Sequence, residues 1–239
     1  MNIDKFKELM CLYGKQIDIK FNDKQLNQFY EYMQLLIEWN EKINLTTITA
    51  PEEIILKHFI DSLTASEYIP DNSKIIDIGT GAGFPGIPLK IYNETYNITL
   101  LDSLNKRVNF LNTVIEELEL KNISAIHGRA EEFGHNTLYR EKYDIAISRA
   151  VSNLSTLVEY MLPFIKKDGL CICMKGPNIK EEIDNSKNAL KRLGGKIIKI
   201  EEFNLPNTDI KRNIIIIKKI LNTDNKYPRK AGIPNKNPL

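Results

Sequence analysis

The spacing of apolar residues in this sequence changes near position 70. Before that point apolar residues recur three and four positions apart, which is the spacing of one face of an amphipathic helix. The residues that set this spacing are Leu26, Phe29, Tyr30, Met33, Leu36 and Ile37. Asn22 or Asp23 is placed to cap that helix, and Pro51 suits the first turn of a second helix that runs toward Tyr68. We therefore predict that residues 1–70 form a helical extension.

From residue 74 onward, short apolar runs alternate with longer amphipathic stretches. Strands are predicted at 74–78, 97–102, 122–127, 143–148, 170–175, 196–203 and 212–220, and helices at 86–92, 105–120, 154–165 and 179–193. This alternation predicts parallel strands joined by helices, and the last two strands, which have no helix between them, suggest an antiparallel hairpin. The sequence thus predicts an α/β domain over residues 71–239, with a seven-stranded, mostly parallel, Rossmann-like sheet and helices on both faces. The extension would pack on this domain.

A glycine-rich segment follows the first predicted strand. It reads Asp-Ile-Gly-Thr-Gly-Ala-Gly-Phe-Pro-Gly over residues 77–86 and leads into a helix. Glycines permit a tight turn and a close approach of the backbone to a ligand, and the helix N-terminus offers N–H groups to an anion. Asp102 ends the second strand, where nucleotide-binding sheets place an acid that accepts hydrogen bonds from ribose. The segment therefore predicts a nucleotide-like ligand.

The glycine pattern fits two classes of cofactor. Residues 81–86 satisfy the dinucleotide pattern Gly-x-Gly-x-x-Gly. Residues 77–83 satisfy an acid-x-Gly-x-Gly-x-Gly pattern that resembles class I S-adenosylmethionine-dependent methyltransferases. The chain has no Tyr-x-x-x-Lys pair, which short-chain dehydrogenases use to relay a proton, and no P-loop for ATP. A methyltransferase and a nicotinamide-dependent oxidoreductase both stay open at this point.

Composition narrows the classes of protein. The chain has 239 residues, 42% hydrophobic and 27% charged, which excludes collagen-like and disordered chains. No apolar run approaches the roughly 20 residues that span a bilayer, and no secretory signal is visible. Three cysteines form neither a disulfide framework nor a Cys-x-x-Cys metal pattern. We expect a cytoplasmic, monomeric protein with no metal site and no membrane contact.

Positive charge is concentrated toward the end of the chain. The net charge is +2, but residues 204–239 hold eight Lys or Arg against two Asp, so this part carries +6 and the remainder −4. A basic end on a nearly neutral protein favours a polyanionic partner, and it suits a solvated tail equally well.

Ordered motifs along the chain resemble one family, ribosomal small-subunit methyltransferase G, also called glucose-inhibited division protein B. The resemblance covers most of the chain. The motifs are Trp-Asn-Glu-Lys-Ile-Asn-Leu-Thr at 39–46, His-Phe-Ile-Asp-Ser-Leu at 58–63, the glycine segment at 77–89, Leu-Asp-Ser-Leu-Asn-Lys-Arg at 101–107, His-Gly-Arg-Ala-Glu at 127–131, Ser-Arg-Ala-Val at 148–151, Lys-Gly at 175–176 and Tyr-Pro-Arg-Lys-Ala-Gly-Ile-Pro at 227–234.

This resemblance implies a function and a set of site residues. Family members transfer a methyl group from S-adenosyl-L-methionine to N7 of one guanine in 16S rRNA, near the decoding site, so the implied partner is rRNA and not DNA. The implied cofactor-binding residues are Asp77, Gly79, Gly81, Gly83, Phe84, Asp102, Ser103, Leu104, Ala130, Glu131 and Arg149. Residues 102–104 would lie at the ribose and adenine, residues 130–131 beside the adenine, and Arg149 at the methyl-donor end near the guanine.

Methylation at N7 agrees with what the sequence lacks. Guanine N7 carries a lone pair and no proton, so catalysis needs no general base and reduces to alignment of N7, methyl carbon and sulfur. The chain has no Asn/Asp-Pro-Pro-aromatic motif of amine methylation and no Pro-Cys nucleophile of cytosine methylation. Cys171 and Cys173 fall in a predicted core strand. We predict that Arg149, at the end of the fourth strand, is the catalytic residue and acts by positioning.

Arginine usage indicates candidate RNA contacts. The chain has 26 Lys but only seven Arg, five of which fall in or beside the motifs. A guanidinium makes planar, bidentate contacts to phosphates and guanine edges, although it pairs equally well with a carboxylate. The candidate RNA-binding residues are Lys42, Arg107, Arg129, Lys175, Arg212, Arg229 and Lys230.

Two alternatives to this function stay open, and so does the role of one residue pair. His58 and Asp61 lie three positions apart on one helix face and suit a metal site, an acid–base pair or, more commonly, a polar contact between helix and sheet. The alternative functions are a non-catalytic rRNA-binding assembly factor that kept the fold and, less favoured, a nicotinamide-dependent oxidoreductase.

Overall fold

The first 70 residues form helices, as their apolar spacing predicts. The computed structural model describes residues 1–149 and 151–239. The helical elements of the extension are α1 (Ile3–Lys15), α2 (Asp23–Ile43), α3 (Pro51–Ile54), a π-helical turn (Ile55–Ile60), α4 (Asp61–Leu63) and a 3-10 turn (Ser66–Tyr68). Asn22 caps α2 through a capping box with Gln25. In the described residues no helix is both long and apolar enough to cross a membrane.

The elements after residue 73 alternate as predicted. They are β1 (Lys74–Ile78), α5 (Gly86–Tyr92), β2 (Asn97–Asp102), α6 (Asn105–Glu117), β3 (Ile123–His127), α7 (Ala130–Phe133), β4 (Tyr143–Arg149), α8 (Leu154–Met161), a 3-10 turn (Leu162–Phe164), β5 (Ile165–Lys175), α9 (Lys180–Leu193), β6 (Gly195–Asn204), β7 (Lys211–Lys219) and α10 (Ile233–Lys236). The bounds predicted for β1, β2 and α5 are those observed. β5 begins five residues earlier than predicted, and the short helices α7 and α10 were not predicted.

The strands form one seven-stranded sheet in the order β3-β2-β1-β4-β5-β7-β6. Strands β1 to β5 pair in parallel, whereas β7 is antiparallel to both β5 and β6. The terminal antiparallel hairpin is therefore confirmed. The strand order reverses between β1 and β4, and ligands of such sheets bind outside the carboxyl ends of the strands at this point.

Alternate strand residues pack on opposite faces of the sheet. Ile75 of β1 belongs to a core shared with α1, α2, α5 and α6, whereas the next residue, Ile76, belongs to a core shared with α8 and α9. Cys171 and Cys173 are fully buried in the second core, as expected of small apolar side chains. Helices therefore cover both faces, and the extension shares the first core with the sheet. The boundary at residue 70 stays a prediction.

Candidate cofactor and RNA-binding site

The glycine loop turns sharply at the carboxyl end of β1. Gly79, Gly81 and Gly83 have φ values of +69°, +63° and +96°, in the left-handed region that favours glycine. A Cβ atom on Gly79 would lie 2.8 Å from Cγ2 of Val151, and one on Gly83 would lie 2.7 Å from the hydroxyl of Tyr32. The loop therefore needs glycine at these two positions for space as well as for conformation.

Asp77 ties the two ends of this loop together. Its Oδ2 accepts hydrogen bonds from the Thr80 hydroxyl at 2.7 Å and from the Gly86 backbone N–H at 2.9 Å. Its Oδ1 is buried and has no hydrogen-bond partner in the part of the chain that the structure describes. Burial raises the pKa of this carboxyl group to about 7, against the pull of its hydrogen bonds and of the Arg149 charge. Asp77 thus shapes the loop from within the core.

Asp102 holds the middle of the loop from the end of β2. Its Oδ2 accepts a hydrogen bond from the Gly81 backbone N–H at 2.9 Å and lies 3.4 Å from Nη1 of Arg107, and its Oδ1 accepts one from the Leu104 backbone N–H at 2.9 Å. A carboxylate has about four acceptor positions. The described residues therefore leave one position for a ligand hydroxyl.

A cavity of about 160 Å³ opens beside the loop, over the carboxyl ends of β1, β2 and β3. Its lining includes four of the predicted cofactor-binding residues, Gly79, Ser103, Ala130 and Glu131. Tyr160 of α8 also lines it and was not predicted. Burial and the Glu131 carboxylate raise the pKa of Tyr160 to about 12, so its hydroxyl is neutral and can donate a hydrogen bond.

Arg149 ends β4, and its side chain, 13% exposed, lies against the extension. Nη1 donates to the carbonyl oxygens of Lys57 and His58 at 3.1 and 3.3 Å and lies 3.3 Å from Oδ2 of Asp61, while Nη2 lies 3.0 Å from Nδ1 of His58. The two carbonyls belong to the π-helical turn, a conformation that is frequent at functional sites. The guanidinium also lies 4.9 Å from the ring centroid of Phe84 in the glycine loop. These contacts hold Arg149 in one orientation.

His58 is neutral and fully engaged in this network. Its Nδ1 accepts from Arg149, because a guanidinium only donates, so Nε2 carries the proton and donates to the Thr46 hydroxyl at 2.9 Å. Burial, assisted by the Arg149 charge, lowers the pKa of His58 to about 3. The ring stacks on Phe84 with centroids 4.4 Å apart. His58 therefore makes the polar contact between helix and sheet, and its geometry gives it no part in proton transfer.

Asp61 joins Arg149 to a second cation. Its two oxygens lie 3.2 and 3.1 Å from Nε of Arg212. Both arginines line a pocket of about 320 Å³ over the carboxyl ends of β4 and β5, together with Lys57 and Lys175. The apolar part of the lining is formed by Met174, Phe203 and Ile214. Lys57 and Lys175 each pair with a further carboxylate, Glu53 and Glu182 respectively. Four cations against these two carboxylates and Asp61 leave one net positive charge at the pocket.

The other predicted RNA-binding residues lie outside this pocket. Lys42 is exposed on α2 and pairs with Glu38 of the same helix, and Arg107 lies beside Asp102. Arg129 lines the smaller cavity. The remaining two are Arg229, which is bound to a buried glutamate of α8, and the exposed Lys230.

Sequence reasoning missed Lys57 and Tyr160. Lys57 directly precedes the His-Phe-Ile-Asp-Ser-Leu motif, and that position was its only signal. Tyr160 lies on a helix without any motif. Of the Ser-Arg-Ala-Val motif at 148–151, Ala150 lies outside the described residues.

Known sequences match this chain over almost its whole length. A family model described as rRNA small subunit methyltransferase G matches residues 25–215. The ribosomal RNA small subunit methyltransferase G of Acetivibrio thermocellus is 55% identical over 236 residues, which cover 98% of this chain and 97% of the relative. That of Clostridium novyi is 49% identical over 242 residues, which cover 100% of both chains.

Solved structures share the fold. TYW2 from M. jannaschii, in complex with AdoMet, has a TM-score of 0.52 and 16% identity, and the match covers 68% of this chain and 76% of that one. A predicted O-methyltransferase from Agrobacterium tumefaciens has a TM-score of 0.54 and 18% identity, with 66% and 80% covered. The predicted Rossmann-like methyltransferase fold is therefore confirmed.

Proposed function

The chain belongs to the family of ribosomal RNA small subunit methyltransferase G, and we propose that it transfers a methyl group from S-adenosyl-L-methionine to N7 of one guanine in 16S rRNA. The observation that carries the proposal is the arrangement of the two pockets. Both open at the carboxyl edge of the sheet, the smaller over β1 to β3 and the positive one over β4 and β5. A cofactor and an RNA base can thus bind side by side.

The smaller cavity suits the nucleoside part of the cofactor. A Cβ atom at Gly79 would intrude on it, since that atom would lie 2.8 Å from Val151, which also lines the cavity. Glu131 and Tyr160 supply polar groups for an adenine, and Asp102 keeps one acceptor position for a ribose hydroxyl. When bound, S-adenosyl-L-methionine supplies a methyl group activated by a sulfonium.

The positive pocket suits the target guanine. It has a volume of about 320 Å³. The guanidinium groups of Arg149 and Arg212 match O6 of guanine and the phosphates beside it. Phe203 and Met174 offer apolar contacts to the faces of the base. N7 must stay free of a donor, because its lone pair attacks the methyl group.

This chemistry requires positioning and no base. N7 carries no proton, so none has to be removed during the attack. The neutral His58, with both ring nitrogens engaged, agrees with a mechanism that uses no proton transfer. Arg149 is then the catalytic residue, because it holds the guanine in line with the methyl group.

We also propose that the chain works as a monomer in the cytoplasm and acts on rRNA, without membrane or DNA. Cations around the larger pocket would neutralise RNA phosphates, and the family is described as acting on small-subunit rRNA.

The test uses methyl-labelled S-adenosyl-L-methionine and small subunits from cells that lack the gene. After digestion of the rRNA, we expect label in 7-methylguanosine at a single position. Label in another nucleoside would overturn the N7 assignment. Cofactor binding without any label would favour the assembly factor, and calorimetric binding of NADH in place of S-adenosyl-L-methionine would favour the oxidoreductase.

A further inference from the structure

The last residues of the chain, 223–239, pack against helices α7 and α8, which carry Glu131 and Tyr160 of the smaller cavity. The backbone N–H of Gly232 donates to Oε1 of Glu131 at 2.9 Å, and Glu131 is only 7% exposed. Gly232 has a φ of +81°, and a Cβ atom there would have no neighbour within 4 Å in the described part of the chain. Glycine is therefore needed for its conformation, which directs the N–H at the carboxylate.

Arg229 anchors this segment to α8. Its backbone N–H, Nε and Nη2 donate to the carboxylate of Glu159 at 2.8, 2.9 and 2.7 Å, and Glu159 is fully buried. Hydrogen bonds between ionised groups are about twice as strong as neutral ones. Glu159 directly precedes Tyr160, so the anchor acts next to the tyrosine of the cavity.

Close packing and two hydrogen bonds connect the segment to α8 and to the turn that follows α7. A Cβ atom on Gly134, just after α7, would lie 2.7 Å from Cγ of Pro228, and His135 Nε2 donates to the Pro228 carbonyl at 2.6 Å. On α8, the Thr156 hydroxyl donates to the carbonyl of Pro234 at 3.0 Å. The segment therefore touches both helices that carry the polar residues of the cavity.

Arg140 fastens the start of the segment. Its guanidinium donates to the carbonyl oxygens of Thr223 at 2.7 Å and Tyr227 at 2.8 Å, and also to that of Gly134 at 2.7 Å. One side chain thus joins the segment to the turn that ends α7. Burial lowers the pKa of Arg140, but a guanidinium stays charged at any ordinary pH.

Helix α7, which carries Glu131, is too short to be stable without packing contacts. Helix α7 has four residues, and isolated helices below about 12 residues are marginal in water. We propose that residues 223–239 form a clamp that positions Glu131 and Tyr160 for the adenosine part of the cofactor, with Arg229 as its positioning residue. This inference rests on the proposed function, and it assigns Arg229 to the cofactor side instead of the predicted RNA contact.

Calorimetric binding of S-adenosylhomocysteine tests the clamp without catalysis. We expect Arg229→Ala to raise the Kd about tenfold, because a buried, charge-assisted set of hydrogen bonds is lost. Arg229→Lys should have a smaller effect. The matched control is Lys236→Ala, which removes the same charge from an exposed position of the same segment and should bind like the wild type. In turnover, Arg229→Ala should raise the KM for the cofactor and leave the KM for RNA unchanged.

Amide hydrogen exchange supplies a second readout on the unaltered protein. Binding and segment order are linked reciprocally, so saturating S-adenosylhomocysteine should slow exchange over residues 223–239. This measurement tests the clamp even if thermal unfolding shows that Arg229→Ala is not folded. Unchanged exchange overturns the clamp, and so does wild-type affinity in a folded Arg229→Ala variant. Failure of the wild-type chain to bind the cofactor would instead overturn the proposed function.

Discussion

The two pockets at the carboxyl edge of the sheet are built in different ways. The cofactor side depends on backbone conformation, since the contiguous loop at 77–86 reaches its shape through glycines with positive φ. The proposed RNA side depends on side chains from separate segments that line one pocket, Lys57, Arg149, Lys175 and Arg212. Asp61 joins the two arginines. A pocket formed by backbone shape loses affinity for its ligand when a Cβ atom is added. A pocket formed by charged side chains loses affinity when a cation or its partner is removed. Substitutions should therefore separate the two binding steps.

The largest effect is expected at Arg149. Arg149→Ala should lower kcat about 100-fold, because loss of alignment at the reacting atoms has costs of that size. Arg149→Lys should also be strongly impaired, since an ammonium lacks the planar set of donors that reaches the π-helical turn, Asp61 and the guanine at once. Thermal unfolding checks the fold, which we expect to survive because Asp61 keeps Arg212 as a partner. Wild-type transfer by either variant would remove Arg149 from its catalytic role.

In the glycine loop, a substitution that causes a steric contact should weaken cofactor binding more than one that only strains the backbone. Gly79→Ala and Gly81→Ala both place an L residue at positive φ, at a cost of about 1–2 kcal/mol. Among the described residues only Gly79→Ala also meets a neighbour, Val151 at 2.8 Å, because a Cβ atom on Gly81 would have none of their atoms within 4 Å. We expect Gly79→Ala to raise the Kd for S-adenosylhomocysteine about tenfold, Gly81→Ala to raise it less, and neither to change RNA affinity. Equal Kd values for the two variants would contradict this account.

Removal of a cation from the RNA side should weaken RNA binding and leave cofactor binding unchanged. Arg212→Ala should weaken rRNA binding several-fold and reduce the slope of log K against log salt by about one, as expected for one lost phosphate contact. Affinity for S-adenosylhomocysteine should not change. Lys211→Ala is the matched control, because Lys211 is exposed on the same strand and pairs with Glu202. The same salt slope in Arg212→Ala and wild type would place Arg212 outside the RNA site.

The smallest expected effect is on the pH dependence of stability, to which His58 and Asp77 contribute with opposite sign. His58 has a folded pKa of about 3, below its ordinary 6.5, so the unfolded chain binds more protons between these values and stability falls as the pH drops. Asp77, with its pKa raised to about 7, has the opposite sign and loses stability as the pH rises from about 4 to 7. In urea unfolding between pH 7 and about pH 5, the wild type should lose up to about 1.4 kcal/mol per pH unit relative to His58→Gln. Parallel profiles would show that His58 is not buried as a neutral ring.

The cofactor side was largely predictable, because its signals are local. The bounds of β1 and α5 follow from short apolar runs, and the glycines with Asp102 indicate a nucleotide-like ligand within 30 residues. Ser103, Ala130 and Glu131 came from the family resemblance and not from any pattern. Helix α7 was missed, because four residues carry no helical period.

The RNA side was not predictable as an arrangement. Asp61 and Arg212 are 151 residues apart, and nothing local shows that they pair. The same holds for Arg229, whose charge suggested RNA while its buried partner Glu159 lies 70 residues away. Charge gives the class of partner, but three-dimensional structure decides which cations are free to meet it.

A crystal structure with S-adenosylhomocysteine and guanosine 5′-monophosphate tests the division of the site most directly. The account predicts adenine against Glu131 and Tyr160, over β1 to β3, and guanine against Arg149 and Arg212, over β4 and β5, with N7 facing the sulfur atom. Guanine on the side of β1 to β3, or the adenosine in the positive pocket, would contradict it.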